Sequence, residues 1–404
     1  MKTKLIGFCL VTLLLIPTLS TAITLQHTTV QQEVQNYPFS NDPSFNRLIT
    51  VLLKIGHYPS MSACIVSNTT VVWKKGYGFY DMEQQKPAND HTIYVVASIT
   101  KTITSTALMQ LYEQGFFQLD DDVNMYLPFI LINPNFPNDP ITIRMILSHS
   151  SSFATDPLMY HWFNYSHPPP IPWYPSPWLK EYLLSGGTFY TPEIWDATHR
   201  PGEYMQYANI NFDIAAYLVQ LLSEQPFYEY CNDHIFTPLG MTHTSFRLPD
   251  LSIDDVAIPY LYNNRTYEKL PYYQLLHYPI GGLMTTVEDL SHFLIAHMNY
   301  GIYNETRILQ NKTVTLMHTI QPPGNKYYNF HYGLGWMIVE TPIGKNVYIG
   351  HSGDIPGMHS RMYINPSENT GIICLFNSDR STSLEKSISL LIQHLLFTKA
   401  RQLS

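Results

Sequence analysis

The sequence has few charged residues. Lys, Arg, Asp and Glu together make up 13% of its 404 residues, whereas about a quarter is typical of soluble domains. The formal net charge is −8, and no basic tract is present that would neutralise phosphates, so we expect no nucleic-acid partner. Hydrophobic residues reach 45%. This content excludes a disordered chain, because so much apolar surface can be buried.

Long apolar runs are absent after the N-terminal segment. That segment has Lys2 and Lys4, then an apolar run over 5–15, then small residues at 20–22. The pattern predicts a secretory signal peptide over 1–22 and a secreted protein without stable membrane insertion after cleavage; an uncleaved anchor is the alternative. Asn-x-Ser/Thr sequons, which weakly indicate a glycoprotein, start at Asn68, Asn164, Asn264, Asn304 and Asn311.

Cysteine is scarce as well. Of the four cysteines, Cys9 lies in the expected signal peptide, which leaves Cys64, Cys231 and Cys374. An odd and sparse set excludes a disulfide scaffold. We expect buried thiols, with at most one bridge.

Strand-like and helix-like patterns occupy different parts of the chain. Alternating or continuous apolar runs predict a hairpin at 61–67 and 70–75, and further strands at 334–341, 346–350, 359–364 and 370–376. Helical spacing predicts helices from Ser98 to Gly115 and at 142–147, 209–224, 286–299 and 383–398. The stretch from Asp156 to Trp178 is rich in proline and aromatic residues, which predicts an extended loop. We expect this loop to lie over the substrate-binding cleft.

This order predicts an α/β (α+β) fold: an antiparallel sheet flanked by helices, with an inserted and mainly helical domain. After the signal peptide we expect an N-terminal extension over 23–44 and one domain over 45–395. Its sheet part would take about 45–97 and 330–395, and its helical part about 98–329. A substrate cleft would lie between the two parts.

Ser98 opens the first long helix and Lys101 follows three residues later. Residues three apart on a helix share a face, so the amine can approach the hydroxyl and act as its base. A helix-capping serine beside a solvated lysine is the alternative. The same spacing recurs at Ser383 and Lys386, where a helix cap is the expected role.

Two more motifs add to this pair. Tyr207-Ala-Asn209 follows a Pro-Gly turn and precedes a helix, and His351-Ser-Gly353 follows the strand at 346–350. A tyrosine hydroxyl can move protons near a lysine, an asparagine amide can hold a substrate, and a glycine lets a substrate backbone lie close to a strand.

In this order and at these distances, the three motifs resemble those of serine β-lactamases, DD-peptidases (penicillin-binding proteins) and related esterases, above all the class C β-lactamase-like branch. The resemblance covers roughly 45–380. It extends to Gly76-Tyr-Gly78, 92–101, 119–123, 126–128, 146–150, 281–286 with Asp289, Gly357 and 375–377.

The resemblance implies that Ser98 forms an acyl-enzyme, with base and acid duty shared by Lys101 and Tyr207. It also implies that Asn209 binds the substrate amide, and that backbone N–H groups of Ser98 and Asp354 form the oxyanion hole. Arg361 would bind a substrate carboxylate, or else form a surface salt bridge. No metal and no cofactor are implied. His149 is expected to have a structural hydrogen-bonding role.

His351 departs from the family pattern. The antibiotic-hydrolysing members carry lysine there, whereas histidine is mostly neutral at pH 7. We therefore expect a hydrolase of an ester or amide, acting on a small-molecule or peptide substrate, and not an efficient β-lactamase. A DD-peptidase or D-aminopeptidase-like enzyme and a catalytically silent binding relative are the alternatives. No oligomeric state is predicted.

Overall fold

The structure is a computed structural model that describes residues 42–154, 163–164, 176–324, 330–341, 346–380 and 382–403. These residues belong to one compact unit. The expected signal peptide (1–22) and most of the expected extension (23–44) lie outside the described residues. So does most of the stretch from Asp156 to Trp178, of which only 163–164 and the last residues from Ser176 are described.

Strands come mainly from the two ends of the described chain. They are β1 (Ser60–Ser67), β2 (Thr70–Asp81), β3 (Lys86–Pro87), β4 (Tyr94–Val95), β5 (Phe163–Asn164), β6 (Tyr260–Asn263), β7 (Thr266–Lys269), β8 (Gln274–Leu275), β9 (Met284–Thr285), β10 (Ile302–Tyr303), β11 (Thr306–Arg307), β12 (Phe330–Tyr332), β13 (Met337–Glu340), β14 (Val347–Ile355), β15 (Met358–Asn365) and β16 (Thr370–Phe376).

Helices fill the middle and the two ends. They are α1 (Pro43–Ile55), α2 (Thr100–Glu113), α3 (Ile143–Leu147), α4 (Ser176–Leu183), α5 (Ile210–Ser223), α6 (Phe227–Cys231), α7 (Tyr278–Gly281), α8 (Val287–Met298), α9 (Asn311–Met317) and α10 (Ser383–Leu403). None of the described helices is long and apolar enough to span a bilayer.

The main sheet has eight antiparallel strands in the order β12-β13-β14-β15-β16-β1-β2-β3. β1 joins the two halves, since Cys64 pairs with Ile373 of β16 on one side and with Lys74 of β2 on the other. The expected antiparallel sheet built from both ends of the chain, with helices against it, is thereby confirmed.

Both faces of this sheet are covered. All eight residues of β1 are buried, which a strand shows when helices pack on both of its faces. One face packs against α1 and α10 through residues such as Ile49, Ile392 and Leu396, and the other packs against α8. The cysteine expectation also holds among the described residues, because Cys64, Cys231 and Cys374 are all buried free thiols.

Several element bounds differ from expectation. Of the expected strand at 334–341 only β13 is a strand; it is preceded by a turn at Gly335, whose φ is +80°, and β12 lies before that turn. A Cβ on Gly335 would lie 2.3 Å from Cβ of Ser105 on α2, so a glycine lets this turn close against the helix. α4 starts at Ser176, inside the stretch expected to be extended, since a proline in the first turn of a helix is tolerated.

Two further differences concern the start and end of the fold. α1 was not expected; Asp42 caps it by accepting hydrogen bonds from Ser44 N–H and Phe45 N–H, both at 3.1 Å. β14 continues to Ile355, so His351, Ser352 and Gly353 lie inside the strand and not after it. The third motif is therefore held by a ladder with β15, in which Gly353 pairs with Ser360.

Candidate active site

Ser98 lies in a 3-10 turn, Ala97–Ile99, that leads directly into α2. The turn is tightly held: Val96 N–H donates to Leu283 O at 2.9 Å, and Ser360 Oγ donates to Val96 O at 2.6 Å. Ala97 has a φ of +46°, a conformation that costs a non-glycine residue free energy and persists only where the surroundings enforce it. The hydroxyl of Ser98 is thus presented on a strained and anchored turn at the start of a helix.

Lys101 lies one helical turn after Ser98 and is completely buried. Its Nζ donates to Ser98 Oγ at 2.9 Å and to the backbone oxygen of Ile280, on α7, at 2.6 Å. The same atom lies 5.3 Å from the ring centre of Tyr207 and 5.9 Å from that of Phe212. The amine is therefore directed at the hydroxyl by a fixed backbone acceptor on one side and aromatic faces on the other.

Tyr207 approaches Ser98 from the segment before α5, and its hydroxyl donates to Ser98 Oγ at 3.0 Å. Its ring packs on His149, with 4.4 Å between ring centres. His149 Nδ1 accepts a hydrogen bond from Ala208 N–H at 3.2 Å, so the histidine makes the expected structural hydrogen bond and supports the tyrosine. Burial, then the charge of Lys101, holds the pKa of His149 well below its usual range.

Asn209 precedes the first residue of α5, is nine-tenths buried and lines the same cavity as Ser98. The structure therefore brings together the four residues of the first two motifs. Ser98, Lys101, Tyr207 and Asn209 come from two helix starts that pack against each other, because α2 and α5 are in contact. Their catalytic roles stay predictions at this point.

His351 faces this group from β14 and is buried. Its Nδ1 lies 2.6 Å from Ser352 O, which can only accept, so Nδ1 carries the proton and Nε2 accepts from Tyr332 OH at 2.6 Å. Burial, together with the charge of Lys101, lowers the pKa of His351 to about 3. The side chain is neutral at pH 7 and carries no charge for a substrate carboxylate.

Gly353 lies where β14 passes the turn that holds Ser98. A Cβ at this position would be 2.6 Å from the backbone nitrogen of Ser98 and 2.5 Å from Val96 O. Only glycine at position 353 therefore lets β14 come this close to the turn that holds Ser98. The next residue, Asp354, lines the same cavity as Ser98.

Two side chains, Arg380 and His359, hold the carboxylate of Asp354. Arg380 Nε and Nη2 donate to its two oxygens at 2.7 and 2.6 Å, and His359 Nδ1 lies 2.9 Å from Oδ1. Burial alone would raise the pKa of Asp354, but the hydrogen bonds from His359 and Arg380 outweigh it and hold the pKa well below its usual range.

The substrate contact expected for Arg361 is wrong. Arg361 is on β15 next to Ser360, and side chains of neighbouring strand residues point to opposite faces of a sheet. Ser360 points to the turn that holds Ser98, whereas Arg361 points to α10, where it donates to Gln393 Oε1 at 2.7 Å and to Ser389 Oγ at 3.3 Å. It is 4% exposed, so the alternative of a surface salt bridge does not apply either.

A cavity of about 320 Å³ opens at Ser98. Its described lining includes no lysine or arginine. Beside Ser98, Tyr207, Asn209, His351, Ser352, Gly281 and Asp354, it is lined by Leu275, His277, Ile280, Phe330, Met337, Ile355 and Pro356. The cavity is therefore mainly apolar, with a small number of polar side chains in its lining.

His277, Tyr332 and His359 were missed in the sequence. His277 lines the cavity, and its Nδ1 lies 2.8 Å from Oδ2 of the buried Asp213 on α5. His277 is only four residues before Gly281, within reach of a motif that supports the resemblance, and this proximity was the available signal.

Among the described residues, no group of three or more His, Cys, Asp or Glu is placed to hold a metal ion.

The family model named Beta-lactamase matches residues 45–396 of the chain. The chain belongs to the beta-lactamase family. The family expected from the motifs is thereby confirmed.

Similar proteins and structures agree with the family. Protein flp of Staphylococcus aureus (strain N315) is 28% identical to this beta-lactamase-family chain over 340 residues, which cover 82% of the chain and 62% of flp. The chain thus spans less than two thirds of that relative. The octameric penicillin-binding protein homologue from Pyrococcus abyssi superposes with a TM-score of 0.68 at 24% identity, covering 87% of this chain and 78% of the homologue. D-amino acid amidase from Ochrobactrum anthropi SV3 gives 0.69 at 20% identity, covering 89% of this chain and 100% of the amidase.

Proposed function

We propose that this protein is a secreted hydrolase that cleaves small apolar esters or simple amides through an acyl-enzyme on Ser98. One observation carries the proposal. The Oγ of Ser98 lies within hydrogen-bond distance of both Lys101 Nζ (2.9 Å) and Tyr207 OH (3.0 Å), at the mouth of a largely apolar cavity. A serine becomes a useful nucleophile only beside such a base.

In acylation, Ser98 Oγ attacks the carbonyl carbon of the substrate, and its proton passes to Lys101 or Tyr207. The carbonyl oxygen becomes an oxyanion, stabilised by the backbone N–H groups of Ser98 and Asp354. The tetrahedral intermediate collapses, the proton moves to the leaving oxygen or nitrogen, and the bond to the leaving group breaks. Water then attacks the acyl-enzyme by the same steps and releases the acid.

The cavity favours apolar acyl groups without a carboxylate. Its described lining offers no lysine or arginine, His351 is neutral, and Arg361 lies on the other face of the sheet. A substrate carboxylate placed there would lose water and gain no opposite charge in return. Apolar groups would instead be buried against side chains such as Leu275, Phe330 and Met337, at roughly 0.8 kcal/mol for each CH₂.

The described part of the proline-rich stretch lies beside the apolar lining of the cavity. β5 (Phe163–Asn164) pairs with β8, and Leu275 of β8 lines the cavity. Part of the stretch from Asp156 to Trp178 therefore lies next to a strand that lines the cavity. This position supports the expectation that the stretch lies over the cleft, and we propose that it supplies part of the apolar wall for the acyl group.

Secretion is part of the proposal and rests on the N-terminal pattern of Lys2, Lys4 and the apolar run over 5–15. Expression of the full chain in a secretory host, followed by N-terminal sequencing of the protein in the medium, tests it. A new terminus close to residue 23 is expected. Retention of residues 1–22 on a membrane-bound product would contradict it.

The enzymatic proposal is tested with one panel and one covalent probe. The panel contains p-nitrophenyl acetate, butyrate and octanoate, D-phenylalanine amide and nitrocefin, and the probe is a fluorophosphonate. We expect ester turnover well above nitrocefin turnover, and stoichiometric labelling of the wild type that Ser98→Ala abolishes. Ser383→Ala is the matched control, since Ser383 has the same spacing to Lys386 but is exposed at the start of α10.

Each other outcome has a definite meaning. Preference for D-phenylalanine amide would favour a D-amino-acid peptidase or amidase. Preference for nitrocefin would contradict the proposal. Absence of both labelling and turnover in the folded wild type would indicate a silent binding relative.

A further inference from the structure

The peptide bond between Gly353 and Asp354 lies at an open strand edge. The ladder between β13 and β14 reaches only to Gly350, which pairs with Met337. Beyond that point, Ser352 and Asp354 are among the residues that line the cavity. Because a Cβ on Gly353 would be 2.6 Å from the nitrogen of Ser98, this peptide is next to the reacting hydroxyl.

His359, on the neighbouring strand β15, is paired with Asp354 in the ladder. Its Nδ1 lies 3.0 Å from Gly353 O and 2.9 Å from Asp354 Oδ1. A carbonyl and a carboxylate both only accept, so Nδ1 must carry the proton and donate to both. The ring is completely buried and stacks on Phe376, with 5.3 Å between ring centres and 19° between planes.

This hydrogen bond defines the orientation of the peptide. In a planar trans peptide, the carbonyl and the following N–H point in opposite directions. With Gly353 O held towards His359, the N–H of Asp354 points away from β15, towards the open edge at the cavity. Donation to the carbonyl also polarises the peptide and strengthens the N–H as a donor.

We propose that His359 is a positioning residue for the oxyanion hole: its Nδ1–H holds the Gly353–Asp354 peptide so that the Asp354 N–H faces the developing oxyanion. The inference rests on the proposed function, since it presupposes that Ser98 is acylated. His359 does not contact the substrate and acts through the peptide alone. Arg380 holds the other side of the arrangement through its two hydrogen bonds to the Asp354 carboxylate.

Charges around His359 agree with a permanent donor. The groups that act on it are Asp354, Arg361 and Arg380. Burial lowers the pKa of His359 to about 4, although the Asp354 carboxylate raises it. The ring is therefore neutral at pH 7, and the proton on Nδ1 is the one shared by Gly353 O and Asp354 Oδ1.

The test compares His359→Asn with His359→Phe and His359→Leu. Asparagine can place its amide N–H where Nδ1 was, whereas phenylalanine and leucine fill the space without a donor. We expect the two apolar variants to lose at least about tenfold in kcat for p-nitrophenyl butyrate with little change in KM, because the lost interaction is made in the transition state. Their affinity for phenylboronic acid, whose tetrahedral adduct mimics the oxyanion, should fall by a similar factor, and His359→Asn should recover most of both.

Tyr363→Phe is the matched control, since Tyr363 is a buried ring on the same strand and the same face as His359. Unchanged kcat and boronate affinity in a folded His359→Phe or His359→Leu protein would overturn the inference, as would equal losses in the asparagine variant. A ¹⁵N spectrum of histidine-labelled wild type needs no variant: a proton on Nε2 instead of Nδ1 of His359 would overturn it directly. Fluorophosphonate labelling of Ser98 in the wild type separates failure of this inference from failure of the proposed function.

Discussion

The Nζ of Lys101 donates to the backbone oxygen of Ile280 at 2.6 Å, closer than the 2.9 Å that separates it from Ser98 Oγ. Ile280 also lines the cavity. The lysine is thus fixed by α7, the same short helix that forms part of the substrate wall. A change in the position of α7 would move both the base and the wall.

Lys101→Ala should reduce kcat for p-nitrophenyl butyrate by two or more orders of magnitude, roughly the contribution of a positioned base. The substitution removes the whole side chain beyond Cβ from a completely buried position, so stability should fall as well, and turnover is compared in the folded variant. Circular dichroism and steady-state kinetics measure both. Lys386→Ala, the exposed lysine of the second Ser-x-x-Lys sequence, is the control and should behave as wild type. Near-normal turnover by Lys101→Ala would remove the lysine from the mechanism.

Tyr207→Phe should keep the ring packed on His149 and remove only the hydroxyl that donates to Ser98 Oγ at 3.0 Å. We expect a fall in kcat of about 10² or more, typical of losing a general acid or base. Tyr204→Phe, three residues earlier and stacked on His199, should leave kcat unchanged. Equal effects of the two substitutions would mean that the Tyr207 hydroxyl has no special role.

Gly353→Ala should damage activity and stability together. The new methyl group would lie 2.5 Å from Val96 O and 2.6 Å from Ser98 N, both backbone atoms that cannot move aside singly. Overpacking of this kind costs about 1–3 kcal/mol. Urea unfolding and ester turnover measure the two effects, and a variant with wild-type values in both would show that β14 does not pass as close to the Ser98 turn.

His351→Lys should raise the ratio of nitrocefin to p-nitrophenyl butyrate turnover, because it adds a cation beside the cavity. In the wild type this ratio should stay constant between about pH 5 and 8, since the pKa of His351 is lowered to about 3 and the ring does not gain a proton there. Kinetics of both substrates across this range provide the measurement. A wild-type ratio that rises as the pH falls through 6 would show that His351 is protonated in the folded protein.

Stability should fall when the pH is lowered from about 6.5 to 4. Burial lowers the pKa of His149, His297, His318, His351 and His359. Below the ordinary histidine pKa the unfolded chain takes up protons that these buried rings refuse, which favours unfolding by up to about 1.4 kcal/mol per pH unit for each ring.

Two carboxyl groups oppose this trend, because burial raises the pKa of Asp289, and raises that of Asp379 to about 6. The folded protein binds their protons more readily than the unfolded chain does, so they gain stability as the pH falls. Because the buried histidines are more numerous than these carboxyl groups, the free energy of unfolding should decrease overall as the pH falls. Urea midpoints at pH 7 and pH 5 measure the balance; a higher midpoint at pH 5 would contradict it.

Much of the site could be predicted from the sequence because each motif is local. Ser98 and Lys101 are one helical turn apart, and Tyr207 and Asn209 share one segment before α5, so their side chains are oriented by short-range geometry. The strands β1 and β16 were equally clear, since each contains a run of apolar residues.

Arg361 could not be placed in the same way. All eight residues of β15 are buried, so no polar and apolar alternation reveals which face of the sheet each side chain occupies. His359 lies on the same strand and was missed as well. Its partner is a backbone carbonyl on another strand, which no sequence motif marks. α1 was missed although its Asp-Pro start is a recognisable helix cap.

The pairing of β1 with β16 has a consequence for the order of synthesis. Cys64 and Ile373 are 309 positions apart, yet they are neighbours in the ladder. At about 5–20 residues per second, the hairpin of β1 and β2 leaves the ribosome roughly 15–60 s before its partner strand exists. Until then a strand with an apolar run presents an unpaired edge, which is a template for association with other chains. The newly made chain therefore depends on being kept from its neighbours until its last strands have been synthesised.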